Sequence, residues 1–142
     1  MNTFENKLVA LINKEIETGV AMNAIAHMTI GLGAQLNHEL LRLNDYQDQE
    51  GNIYPNISQM PFMVLRGKSS EIRKAVGQAK EEKMQFGVFT HTMTRGTYQE
   101  QLDNTSQTPE EKLIYYGAVL FGPWDDVSRI IPFPSYKLTD DF

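Results

Sequence analysis

Apolar residues along this chain follow two rhythms. Short unbroken apolar runs, bounded by charge or turn residues, read as buried strands. Four stand out: "KLVALIN" (Lys7–Asn13), "FMVLR" (Phe62–Arg66), "QFGVFTHTM" (Gln85–Met93) and "YYGAVLFG" (Tyr115–Gly122). Between them the spacing turns helical. From Val20 it stays so to about Leu43. On a wheel of about 100° per residue, apolar side chains point nearly everywhere between residues 20 and 36, except along a stripe of Asn23, His27, Ala34 and His38 with Gly31 beside it. A helix apolar nearly all round is expected to be buried, often against a sheet. Gly31 and Gly33 are expected to end or kink it, or to admit a close neighbour. "NHELLRLNDY" then predicts a second, amphipathic helix, and "DQEGNIYPNISQMP" a loop with one tight turn.

The second half is more sharply punctuated. "SSEIRKAVGQAKEEK" predicts a helix with Ser69 as N-cap, Glu71 in the first turn and Ile72, Ala75, Val76 and Ala79 inward. "TRGTYQEQLDN" reads as a loop running into a short helix. "TPEEKLIYY" predicts another helix, with Thr108 capping, Pro109 at the first position and Glu111 closing a capping box. Pro123 opens a last helix, "PWDDVSRII", with Asp125 and Asp126 in its first turn, and "PFPSYKLTDDF" is tail. Helices between successive strands imply crossovers. The expectation is one α/β domain over residues 1–142: three layers, a four-stranded mixed, mostly parallel sheet, and helices on both faces. In such sheets, sites form beyond the carboxyl ends of the strands.

Composition narrows the function classes. At 142 residues, 41% hydrophobic and 22% charged, the chain suits one soluble domain with its own core. With no cysteine, disulfides, thiolate metal sites and cysteine nucleophiles are excluded. Acidic residues flank the first apolar stretch, which is therefore not expected to act as a signal peptide, and the longest apolar run is broken by Asn23, His27 and Gln35. A cytoplasmic location and no membrane partner are therefore expected. The net charge of −5 is uneven: residues 66–96 hold seven Lys/Arg against three Asp/Glu, while both flanks are acidic. That argues against nucleic acid as a nonspecific partner, yet leaves one basic stretch able to meet an anion.

His27 is the first candidate for chemistry, as general acid, base or hydrogen-bond donor, because histidine alone titrates near neutrality unaided. The competing reading is a core histidine bonded to a backbone carbonyl. The polar stripe favours the mouth of a pocket, with Asn23 one turn earlier able to orient the ring. His38 lies three turns away, too far to share an ion with His27, His91 would have to come from a strand, and no carboxylate has ligand spacing to any of the three; no metal and no cofactor are expected. The second candidate is "THTMTRGTY" at the exit of the third strand, where Thr90, His91, Thr92, Arg95, Thr97 and Tyr98 crowd together. Arg95 offers a fork of donors suited to phosphate or carboxylate. The competing reading is a solvated loop whose threonines cap and turn. No GxGxxG, phosphate-binding Gly-Lys-Ser/Thr loop or GxSxG elbow is present. Glu110–Glu111 and Asp125–Asp126 are explained as helix starts, the basic residues from Arg66 to Lys83 as a solvated helix face, and Trp124 as packing or interface.

"KLVALINKEIETGVAMNAIAHMTIGLGAQL", "ISQMPFMVLR", "FTHTMTRGTYQEQL" and "YYGAVLFGP" together resemble a bacterial domain-of-unknown-function family, number two thousand, from Lys7 to about Phe133. That family in turn is similar to the type-2 peptidyl-tRNA hydrolase fold, a four-stranded mixed sheet flanked by helices and commonly dimeric. The resemblance puts His27 where the hydrolases carry a helix histidine and Thr97 where they carry a threonine. Their catalytic lysine has no counterpart, since Thr18, Gly19 and Val20 occupy its place; their glutamine is Asn23 or Ala24 here, and their aspartate is replaced within "THTM". The resemblance therefore implies a shared fold and is by itself no warrant for shared chemistry. Three functions follow as expectations. The first is binding of a small anionic or amide ligand among Asn23, His27 and the Thr90–Tyr98 loop, with Arg95 holding charge and Thr92 and Thr97 donating. The second is residual hydrolysis of an acyl ester or amide with His27 as base. The third is a noncatalytic homodimeric module built on the apolar helix or the Trp124 region.

Overall fold

The structure, a computed structural model, describes residues 4–131. Its elements in order are β1 (Asn6–Asn13), α1 (Thr18–Gln35), β2 (Leu43–Gln47), β3 (Ile53–Ser58), β4 (Phe62–Gly67), α2 (Ser69–Glu81), β5 (Gln85–Thr90), α3 (Tyr98–Ser106), β6 (Tyr115–Pro123) and α4 (Trp124–Ile130). Single 3-10 turns follow β5 at His91–Met93 and precede β6 at Glu110–Lys112. The expected tail, residues 132–142, lies outside the described residues.

The main sheet runs β4-β1-β6-β5. β1 pairs parallel with β4 and antiparallel with β6, and β6 pairs antiparallel with β5. The sheet is mixed, as expected, but two of its three pairings are antiparallel rather than parallel. A helix between strands forces a parallel crossover only when it packs across the sheet face. α3 does not: it has no buried residue and leans on the 3-10 turn at the end of β5. The chain can therefore return beside β5 in the opposite sense.

β1 is an unbroken apolar run because both its faces are covered. Val9 and Leu11 enter a core with α2 and α4, built on Ile72, Ala75, Val76, Ala79, Val127 and Ile130. Leu8, Ala10 and Ile12 enter the opposite core, against Ala21, Ala24, Met28 and Leu32 of α1. These α1 positions recur at three- and four-residue steps and make one stripe. Gly117 of β6 lets α1 lie close: a Cβ there would stand 2.8 Å from Met28 Cε and 3.0 Å from Ile12 Cδ1.

Among the described residues, no further layer covers the other faces of α1. Met22 is 63% and Ile30 73% exposed, so the apolar wheel does not mean burial all round. α1 also passes straight through Gly31 and Gly33 and ends at Gln35; neither glycine has a neighbour within 4 Å of its Cβ position. The predicted amphipathic helix at residues 37–46 is absent. Asn37 Oδ1 accepts from the Leu40 amide at 2.7 Å and closes a turn instead, Arg42 adopts φ +54°, and the chain enters β2. The predicted loop contains β3, which pairs antiparallel with β2 across a bulge. Pro55 and Asn56 (φ +62°) sit at that irregularity and carry turn chemistry inside a strand. Asp48 organises the hairpin turn, accepting from the Glu50 and Asn52 amides, the Asn52 side chain and the Tyr54 hydroxyl.

Two capping expectations change. Lys68, not Ser69, occupies the N-cap of α2; Glu71 accepts from the Lys68 amide, while Ser69 Oγ accepts from the Tyr115 amide at 2.8 Å and ties α2 to β6. The predicted helix at Thr108 shortens to one 3-10 turn, because the Thr108 hydroxyl donates backward to the Asn104 carbonyl at 2.6 Å. No helix among the described residues is long and apolar enough to cross a membrane.

Candidate functional site

β5 delivers Phe89 and Thr90 to the end of the sheet, where the 3-10 turn and α3 begin. Thr97 caps α3, its hydroxyl oxygen accepting from the Glu100 amide at 3.2 Å. Across the gap runs α1. Between the two helices opens a cavity of about 540 Å³. α1 contributes Asn23 and His27; β5 and the turn contribute Phe89, Met93 and Thr94; α3 contributes Tyr98, Gln101, Leu102 and Thr105.

His27 is exposed, and its ring stacks on Phe89 at 5.8 Å between centroids and 22° between planes. It is a rim residue rather than a core histidine. Asn23, one turn earlier, shares its side of the helix and is also exposed. Around them the lining is largely apolar, and it includes no Lys, Arg, Asp or Glu. Donors and acceptors come from the Asn23 and Gln101 amides, the His27 imidazole and the Tyr98 hydroxyl, while the Thr94 and Thr105 hydroxyls, whose protons are already given to protein oxygens, offer acceptor lone pairs.

The strand-exit residues therefore divide. Tyr98 lines the cavity and is 74% exposed. Thr90 and Thr92 are buried, at 1% and 2% exposure, and their hydroxyls lie 2.7 Å apart. Thr92 Oγ1 is also 2.7 Å from Thr105 Oγ1, so this hydroxyl cluster fastens α3 to the end of β5. Thr97 is occupied in its cap. Arg95 and His91 face a different cavity, of about 260 Å³, with Thr92, Thr94, Asn104 and Tyr116. His91 Nδ1 accepts from the Ile114 amide at 3.0 Å, and the His91 amide donates to the Ile114 carbonyl at 3.0 Å. His38 lies beyond the end of α1, with Nε2 3.3 Å from Asn56 Oδ1 of the hairpin. Trp124 packs: the Lys7 ammonium sits 4.9 Å from its ring centroid and donates to Ser128 Oγ at 2.9 Å, and burial lowers the Lys7 pKa. No group of three or more His, Asp or Glu among the described residues is placed to hold a metal ion.

Phe89, Met93, Thr94, Gln101, Leu102 and Thr105 were not among the expected site residues. The signal for the last three was present: Tyr98, Gln101, Leu102 and Thr105 fall at i, i+3, i+4 and i+7, one face of α3. Leu102, 45% exposed, faces no core.

The family described as "Protein of unknown function (DUF2000)" matches residues 6–133. The chain belongs to that family. Among solved structures, this DUF2000 protein is similar to the protein of unknown function Atu0240 from Agrobacterium tumefaciens str. C58. The TM-score is 0.81 at 20% identity, over 96% of this chain and 99% of that one. That likeness shows the fold. No curated protein matches this sequence.

Proposed function

We propose that this DUF2000 protein binds a small, largely apolar molecule carrying an amide or comparable hydrogen-bonding group, held between α1 and α3. One observation carries the reading: a cavity of about 540 Å³ whose apolar walls converge on His27, Asn23 and Gln101. Ligand sites are commonly concave, mostly apolar and furnished with few polar groups. The position of Arg95 in a neighbouring cavity moves the emphasis of this site from charge to amide recognition. A relation to the type-2 peptidyl-tRNA hydrolase fold belongs to the same proposal, supported by the four-stranded mixed sheet and by a histidine on the first helix. His27 at the rim also supports a second reading, general-base hydrolysis of an acyl ester or amide.

The test is a melting screen of neutral aromatic amides against wild type, His27→Ala and Leu102→Glu, run beside hydrolysis of N-acyl-aminoacyl-tRNA. A ligand that binds only the native state raises Tm by mass action. The expected result is a rise in wild type that is lost in Leu102→Glu. An equal rise in all three proteins refutes the site. Turnover abolished by His27→Ala establishes the hydrolytic reading. Exposed Met22 and Ile30 support a separate reading of α1 as a homodimer surface; a monomer in sedimentation at micromolar concentration removes it.

A further inference from the structure

The smaller cavity beside the proposed site has the opposite chemistry. Its lining holds a guanidinium, an imidazole, a carboxamide and a phenol, from Arg95, His91, Asn104 and Tyr116, and no carboxylate. Arg95 is exposed and makes no ion pair or hydrogen bond within the described structure. His91 is constrained. Its Nδ1 accepts from the Ile114 amide, so a neutral ring must carry its proton on Nε2, which makes that nitrogen a donor. Thr94 donates its hydroxyl proton to the His91 carbonyl at 2.9 Å, which fastens the start of the loop to the 3-10 turn.

The two cavities share a wall. Thr94 lines both. Asn104 and Thr105 are consecutive on α3 and line one cavity each, and Thr92 of the smaller bonds to Thr105 of the larger. A molecule lying across the exposed Thr94 meets apolar walls and amides on one side and unpaired cationic and neutral donors on the other.

We infer that the ligand is an amphipathic acid, with an apolar, amide-bearing body between α1 and α3 and a carboxylate or phosphate held by Arg95, His91 and Asn104. The inference rests on the proposed function above and names the class of molecule that site takes. A guanidinium fork suits both kinds of oxyanion. Anion and body are recognised by different residues, so they are separable by mutation.

The experiment uses four probes: hippurate, its uncharged carboxamide hippuramide, benzyl phosphate and inorganic phosphate. Kd is measured by titration calorimetry on wild type, Arg95→Gln and Leu102→Glu. Arg95 has no partner among the described residues, so Arg95→Gln is expected to melt as wild type does. Hippurate is expected to bind wild type about tenfold more tightly than hippuramide, the scale of one charge-assisted contact. Arg95→Gln is expected to erase that difference by weakening hippurate more than hippuramide, while Leu102→Glu weakens both. Tighter binding of benzyl phosphate than hippurate assigns the anion as phosphate; the reverse assigns it as carboxylate. Equal affinity of hippurate and hippuramide for wild type, unaltered by Arg95→Gln, overturns the inference and leaves the proposed function standing. Binding of inorganic phosphate as tight as that of benzyl phosphate overturns it too, since the body then contributes nothing. Failure of every organic probe at millimolar concentration overturns both readings.

Discussion

Replacing Thr92 with valine removes one hydroxyl and keeps the shape of the side chain. Thr92 is 2% exposed and joins Thr90 to Thr105 through two contacts of 2.7 Å. Thr105 keeps a second partner, the Gln101 carbonyl at 2.8 Å. Among the described residues Thr90, 1% exposed, has no other side-chain partner for its hydroxyl, so its proton is the group left without an acceptor. One unsatisfied buried hydroxyl costs about 1–3 kcal/mol. Unfolding entropy of about 2.1 cal/mol/K per residue gives roughly 0.3 kcal/mol/K for a chain of 142 residues. The expected fall in Tm is therefore about 3–10 °C by calorimetry. Because α3 buries no residue of its own, amide exchange across Tyr98–Ser106 is expected to accelerate more than in β1. The double variant Thr90→Val/Thr92→Val removes both partners and is expected to melt above Thr92→Val alone, since two matched apolar groups strand nothing. A Thr92→Val protein melting within about 1 °C of wild type, or a double variant melting no higher than Thr92→Val, refutes the reasoning.

Other perturbations test the packing and the electrostatics. Gly117→Ala forces a Cβ to 2.8 Å from Met28 Cε and 3.1 Å from the Leu11 carbonyl, and is expected to lose about 1–3 kcal/mol in urea unfolding. Gly31→Ala, with nothing within 4 Å, is expected to be neutral or to gain up to about 1 kcal/mol. Burial, then the hydrogen bond to Glu110, pushes the Tyr115 hydroxyl up to about 12 from an ordinary 10.0. The folded state thus holds its proton after the unfolded chain has released it, so stability falls as pH rises from about 10 to 12. Tyr115→Phe is expected to flatten that limb of the Tm profile. Asp48, held down to about 2 by the Asn52 side chain and then the Tyr54 hydroxyl, supports the hairpin above the ordinary carboxylate range. That support is lost as pH falls through about 2, which carboxyl NMR titration reads directly; an Asp48 midpoint near 4 contradicts the turn geometry.

Much of the fold was legible in the chain. β1, β4, β6 and α2 are strongly patterned because tertiary packing uses the same faces that local periodicity marks. β5 was legible too, although it ends at Thr90, where the Thr92–Thr105 tie and the 3-10 turn redirect the chain. The hairpin β2–β3 was not legible: apart from Leu43 and Ser58 its strand residues are exposed, so no burial imposes an alternating pattern, and a bulge places Pro55 and Asn56 inside a strand. The candidate site was legible in part. His27, Asn23 and Tyr98 do meet at one cavity, whereas Thr90, Thr92 and Thr97 serve as ties and a cap, and Arg95 turns to a neighbouring cavity.

Local rules suffice wherever a residue's neighbours in space are also its neighbours in period: the buried stripe of α2, the apolar run of β1, the absence of cysteine chemistry. They do not reach sheet order, strand direction or the sharing of a wall by two cavities. Those depend on where β6 inserts between β1 and β5, and on α3 standing at the end of the sheet rather than across its face. Such placements are long-range pairings, whose partners lie far apart in the chain and leave no periodic trace in it.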